Sequence, residues 1–257
     1  NLYLTLIEKG RYDEVKEKFS HLKAGDVMLV ENIRYFQEET EDDENFSKKL
    51  ASLGEIYIND AFSCSHRKQS SIHNITKFID KCYAGPLLKK EIDSINLVIK
   101  NKKEPVTCII GGSKISTKIS VIKSLIAKIN SLVIVGAMAN NFFSYKNIKI
   151  GKSLIESDSR GIIKQIYDQA KETKCEIVIP EDCIVGSSFD GGGKEKNFEQ
   201  IEDSDIILDI GPKTLERIKQ VINQSKTILW NGPAGYFENK NFLNGTLSIA
   251  EIISKKT

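Results

Sequence analysis

Short apolar, β-branched runs alternate with amphipathic stretches along this 257-residue chain, and that alternation restricts the fold more than any other feature. The strand-like runs cover 26–30, 55–59, 106–110, 132–135, 176–179, 206–209 and 227–230. Helical periodicity covers 43–53, 87–99, 116–129, 161–173 and 213–224. Strands this apolar, alternating with helices, predict parallel pairing with crossover helices on the sheet faces, an α/β architecture of the doubly wound kind. The helix over 87–99 runs into Lys100-Asn101-Lys102-Lys103-Glu104-Pro105, a charged, Pro-terminated linker that suits a domain boundary. The acidic run 38–44 reads as a solvated loop or helix start. The segment 189–197, with Gly191-Gly192-Gly193, reads as a mobile surface loop.

An apolar share of 40% is enough for a core, and 28% charged residues argue against a disordered chain. A net charge of +2 creates no strong field, so neither nucleic acid nor a membrane surface is expected as a partner. The longest apolar stretches, such as 131–139, are too short to span a bilayer. The first ten residues carry no basic run or small-residue cleavage site, so no secretion signal is expected. The five cysteines, Cys64, Cys82, Cys108, Cys175 and Cys183, are odd in number, scattered and without a CxxC. They fit reduced thiols in a cytoplasmic protein rather than a disulfide frame or a zinc site. The chain begins at Asn1 and its first methionine is Met28, which suggests a fragment or a processed product.

The densest chemical signal is KTILWNGPAGYFE, residues 226–238. Residues 226–230 read as a short buried strand, and the chain then breaks into Asn231-Gly232-Pro233-Ala234-Gly235. Gly and Pro at this density stop regular pairing and let backbone approach another molecule. A loop at the end of a buried strand stands where open α/β sheets bind ligands. A second such junction is GGSKISTK, where the 106–110 strand runs into Gly111-Gly112-Ser113-Lys114 and a helix is predicted from about Ser116. Glycines at a strand-to-helix junction present backbone amides to an anion. Lys114 and Lys118, four apart, are predicted to share one face of the first helical turn. Cations there oppose the helix dipole, and an anion would offset the repulsion. A bare turn with two surface lysines is the alternative. A P-loop is excluded: the only GKS, Gly151-Lys152-Ser153, has Lys146 where the leading glycine should stand.

Two earlier strand ends also deliver basic groups to loops. One exits into Glu31-Asn32-Ile33-Arg34, the other into Asp60-Ala61-Phe62-Ser63-Cys64-Ser65-His66-Arg67. Arginine's planar fork suits carboxylate and phosphate, and histidine adds a donor. His21 and His73 lack such context and read as structural. Asp182 could bind metal but reads better as a helix or turn cap, and Asp209 as part of a sheet edge. The strand over 132–135 leads to Gly136-Ala137-Met138-Ala139, small enough to admit an adenine or ribose, or simply to pack tightly.

ENIRYF, NDAFSCSHR, GGSKISTK and WNGPAGYFE, in this order, resemble the motifs of phosphoglycerate kinases from about Gly25 to Thr246. The resemblance implies two lobes, each a parallel sheet flanked by helices in a three-layer, Rossmann-like arrangement, both incomplete at the chain ends. The lobe over 1–88 would hold phosphoglycerate through Arg34, His66 and Arg67. Residues 89–257 would form the interdomain helix and a nucleotide lobe using Gly111, Gly112, Lys114, Lys118, Gly136, Asn231, Pro233, Gly235 and Glu238. The implied reaction is reversible phosphoryl transfer from 1,3-bisphosphoglycerate to ADP, giving 3-phosphoglycerate and ATP, by direct in-line transfer after lobe closure. Lys114 would be the catalytic residue, neutralising the transferring oxygens. Mg2+ would arrive on the nucleotide, with no metal-binding residues assigned in the chain. A cytoplasmic monomer is expected.

The family's opening aspartate–asparagine motif and SHxGRP-type loop do not occur here, nor does its closing GGGDT loop. Ser63, Cys64, Val135 and Ala137 depart from the family pattern. These departures imply a partial chain that would not turn over alone. The alternative is a non-catalytic, nucleotide-binding remnant. A Rossmann oxidoreductase is excluded, because no GxGxxG follows an early strand.

Overall fold

A computed structural model describes residues 4–7, 13–100 and 102–256. Asn101 of the predicted linker, and residues 1–3 and 8–10 of the opening stretch, lie outside them. In chain order the elements are β1 Leu4–Ile7, α1 Asp13–Ser20, β2 Val27–Val30, α2 Gln37–Thr40, α3 Glu44–Ala51, β3 Ile56–Asn59, β4 Lys81–Ala84, α4 Pro86–Lys100 and β5 Val106–Ile110. There follow α5 Ile119–Ile126, β6 Ser131–Ile134, α6 Ala139–Tyr145, α7 Ser159–Thr173, β7 Glu176–Val178, β8 Asp182–Gly186, β9 Lys194–Asn197, β10 Ile206–Ile210, α8 Pro212–Gln224, β11 Thr227–Asn231 and α9 Asn244–Ser254. The chain divides into two compact units between Asn96 and Leu97.

The first unit holds two parallel pairs, β1 with β2 and β3 with β4. Phe46, Leu50 and Ala51 of α3 bury one apolar stripe with Ile75, and Phe36, Tyr57 and Phe78 pack around it.

The second unit is built on a parallel sheet in the order β11-β5-β6-β7. β5 is buried along its whole length, which is why VTCII is an unbroken apolar run. Alternate side chains serve opposite faces. Cys108, Ile110, Leu132 and Ile134 pack with Ile122 and Ile126 of α5, Phe142 of α6 and Ile166 of α7. Ile109 and Val133 pack on the other face with Ile218 and Ile222 of α8 and Ile249 of α9. The result is three layers, helix on sheet on helix.

Four expectations are corrected. The strand preceding Asn231 is half-buried at the sheet edge rather than buried, because among the described residues β11 pairs only with β5. The run 206–209 is not in the parallel sheet: β10 pairs antiparallel with β8, and β8 with β9. Part of the predicted 189–197 loop is strand β9, whose polar KEKN lacks an apolar pattern and is held by backbone pairing to β8. The helix expected from Ser116 starts at Ile119. Ile115, fully buried, holds the preceding segment in a turn, and the Ser116 amide bonds Glu156 instead of starting a helical ladder.

Three acids recur at helix starts. Asp60 accepts the Leu88 amide of α4 (2.8 Å), Asp182 the Lys213 and Thr214 amides of α8 (both 2.9 Å), and Asp209 the Gly245 amide of α9 (2.7 Å). Each carboxylate fills the room that a side chain on a neighbouring glycine would need: Gly85, Gly211, and for Asp209 both Gly235 and Gly245. The cap reading of Asp182 thus holds, and Asp209 turns out to be a cap as well as an edge residue.

Candidate functional site

The register of the parallel sheet aligns strand ends. Asn231 lies opposite Ile110, and Ile110 opposite Ile134, so the loops after β11, β5 and β6 leave from one edge. The neighbouring strands β5 and β11 are followed by helices on opposite faces, α5 on one and α9 on the other. That divergence opens a crevice between their exits, the place where open α/β sheets take ligands.

The three loops are bonded together. The Gly111 amide donates to Asn231 O (2.8 Å), Gly136 N to Ala234 O (3.0 Å) and Met138 N to Gly112 O (2.8 Å). A side chain on Gly111 would overlap the Pro233 carbonyl, and one on Gly136 would come 2.9 Å from the Gly112 nitrogen. Gly112, Gly136 and Gly232 adopt φ of +109°, +68° and +85°, values that side chains resist. Trp230 Nε1 donates to Gly232 O (2.7 Å), closing the turn over its own strand.

A cavity of about 310 Å³ opens beside the loops. Gly112, Gly136, Pro233, Gly235 and Glu238 line it, with Ala137, Leu208 and Tyr236 supplying apolar wall. Asn231, which is not among the lining residues, bonds Lys118 Nζ, so the GGSKISTK and WNGPAG segments meet through side chains too. Lys118 stands at the cap position of α5, whereas Lys114 lies before the helix and is exposed. The expected shared helical face is therefore absent, although both lysines stay on the loop at the sheet edge. Glu156, unnoticed in the sequence, braces that loop from the opposite side by accepting the Ser116 amide (3.2 Å). Partial burial pushes its carboxyl up, but the Ser116 hydroxyl and amide, the Ile115 amide and Lys114 outweigh this and hold it below the usual range.

Asp209, 2% exposed, also lines the cavity. Burial pushes its carboxyl up to about 6, against the lowering effect of the Gly245 and Ile210 amides. With an unfolded value near 3.9, the protonated form is favoured by folding. Its stabilisation is fully present below about pH 4 and is lost as pH rises through 6, on the order of 2–3 kcal/mol in all. Urea midpoints of wild type and Asp209→Asn at pH 4 and pH 7.5 check this: the pH-dependent loss should be smaller in the variant by that amount. An equal loss in both chains would remove Asp209 as its source.

In the first unit a cavity of about 400 Å³ is lined by Asn32, Arg34, Glu39, Asn59, Asp60 and Cys64, among others. Arg34 is held by Gln69 (3.4 Å), and buried Glu39 accepts the Ser71 amide (2.8 Å) and hydroxyl (2.6 Å). His66 and Arg67 are exposed on the turn after Cys64 and do not line this cavity. His73 bonds Asp42 (2.6 Å), in keeping with a structural role. Among the described residues, no group of three or more His, Cys, Asp or Glu could hold a metal, and no helix is long and apolar enough to cross a membrane. All five cysteines are free thiols.

The sequence model of the family described as phosphoglycerate kinase matches residues 3–257. The phosphoglycerate kinase of Wolbachia pipientis wMel is 45% identical over 246 residues, 95% of this chain and 62% of that protein. That of Aquifex aeolicus (strain VF5) is 39% identical over 247 residues, with the same coverages. Among solved structures, phosphoglycerate kinase from Coxiella burnetii aligns with a TM-score of 0.80 at 31% identity, covering 98% of this chain and 64% of its own. That from Pyrococcus horikoshii OT3 gives 0.81 at 25%, covering 98% and 65%. The chain spans about 62% of the length of the curated relatives it matches.

Proposed function

This chain belongs to the phosphoglycerate kinase family, and on that premise we propose that its second unit binds ADP or ATP and its first unit binds phosphoglycerate, for reversible phosphoryl transfer from 1,3-bisphosphoglycerate to ADP. The observation that carries this is the crevice between β5 and β11, where three glycine-bearing loops and two lysines meet at one sheet edge. Gly111, Gly112, Gly136, Asn231, Pro233 and Gly235 would let the nucleotide lie against backbone. Lys118, oriented by Asn231, would meet a nucleotide phosphate, and Glu238 the ribose. Lys114, unencumbered by a helix, would neutralise the oxygens of the transferring group. The transfer needs no protein nucleophile, so positioning and charge carry the catalysis. Magnesium is part of the Mg–ADP substrate. Asp182 and Asp209 are already engaged by helix-start amides, which leaves the ion to travel with the nucleotide.

Arg34, His66 and Arg67 would hold the carboxylate and phosphate of the second substrate. Family membership supports a glycolytic role in the cytoplasm, acting as a monomer. The division of labour is testable by calorimetric titration with each ligand. Arg34→Ala should weaken 3-phosphoglycerate binding about 10- to 100-fold, the scale of a lost charge-assisted hydrogen bond, and leave ADP affinity unchanged. Equal losses for both ligands would overturn the assignment of Arg34 to phosphoglycerate.

A further inference from the structure

Asp209 touches both the start of α9 and the loop after β11. Its Oδ2 accepts the Gly245 amide (2.7 Å) and its Oδ1 the Ile210 amide (2.9 Å). Side chains on Gly235 or Gly245 would overlap its carboxylate, so both glycines lie directly against it. One residue away, Leu208 O accepts the Tyr236 amide (2.7 Å), which ties β10 to the same loop. On the far side Thr246 Oγ1 accepts the Ala234 amide (3.0 Å), so the first turn of α9 holds the loop as well.

We infer that Asp209 is a positioning residue for the nucleotide loop: its buried carboxylate, fixed by two amides, is the wall that sets where Pro233 to Glu238 stand at the cavity. This rests on the nucleotide reading of that loop and names what holds it. The carboxylate is nearly dry, so both of its oxygens depend on these protein donors. A carboxylate accepts from both amides at once, whereas an asparagine would turn its NH2 toward one of them.

The experiment compares ADP titration, urea stability and Trp230 emission in wild type, Asp209→Asn and Asp182→Asn at pH 7.5. Trp230 is the only tryptophan and reports on this loop without any ligand. Asp182 has the same kind of place, a buried acid on a helix start beside a glycine, but does not line the cavity. Asp209→Asn should shift the emission of the free protein and weaken ADP about tenfold or more, since an ångström of misplacement can cost on the order of 10²-fold. Asp182→Asn should lose stability, with emission and ADP affinity unchanged. Unchanged affinity and emission in Asp209→Asn, or equal losses of affinity in both variants, would overturn the inference. If wild type itself binds no ADP, the nucleotide reading fails, and the emission shift alone decides whether Asp209 sets the loop. Should Asp209→Asn fail to fold, Gly235→Ala probes the same wall from the other side, and unchanged ADP affinity there would overturn it.

Discussion

Gly111→Ala is expected to abolish ADP binding and to destabilise the second unit by about 3 kcal/mol, the upper end of what overpacking a close-packed site costs. The added methyl would overlap the Pro233 carbonyl oxygen and crowd that of Gly232 (2.9 Å), both of them backbone atoms. Neither can swing aside as a flexible side chain would. Pro233 has a fixed φ, Gly232 already sits at φ +85°, and Ala234 is tied to Gly136 and Thr246. Relief therefore requires the loops after β5 and β11 to separate. The Gly111–Asn231 bond would be lost, and the backbone surface facing the ligand would be displaced. Chemical denaturation and ADP calorimetry check the two parts separately. Retained affinity in a folded variant would show that the nucleotide does not need these loops in contact.

The second large effect concerns Lys114. Its charge is exposed on a segment pinned by buried Ile115 and braced by the bond from Ser116 to Glu156. A backbone fixed this way delivers the cation to one place on the loop, where it can meet charge that builds on the transferring phosphoryl oxygens. Measured in enzyme that turns over, Lys114→Ala should lower kcat on the order of 10²–10³-fold, roughly 2.7–4 kcal/mol, with a much smaller change in ADP affinity. Steady-state kinetics beside calorimetry decides it. Normal kcat with only a raised KM for nucleotide would assign Lys114 to ground-state binding instead.

β5 could be read from the sequence because Pro105 and Gly111 bracket an unbroken apolar run, and a central parallel strand leaves no other reading. The loops after β5 and β11 are equally legible, since Gly and Pro at this density end a strand. What stayed hidden depends on tertiary partners. β9 is polar and exists through its pairing with β8. α9 was missed because Asn244-Gly245-Thr246 looks like a turn, whereas Gly245 stands at a helix start to make room for Asp209. The late start of α5 follows from the burial of Ile115 and the reach of Glu156 across forty residues, and no local pattern encodes either. Periodicity likewise places a strand over 206–209, but its antiparallel direction is set by β8, which has no signal of its own in the sequence. The roles of Asp209 and Glu156 belong to this class: short polar contacts between segments remote in sequence.

The central claim is that the strand exits of the second unit form a nucleotide site, and ADP titration of the purified chain followed by Trp230 emission tests it most directly. Trp230 bonds within the loop that should close on the ligand. The account predicts a saturable change with one site and a midpoint no weaker than about 1 mM, the upper range of enzyme–substrate affinities, reversed by competing ATP and lost in Gly111→Ala. A folded chain whose emission and heat signal stay flat through that range would contradict it.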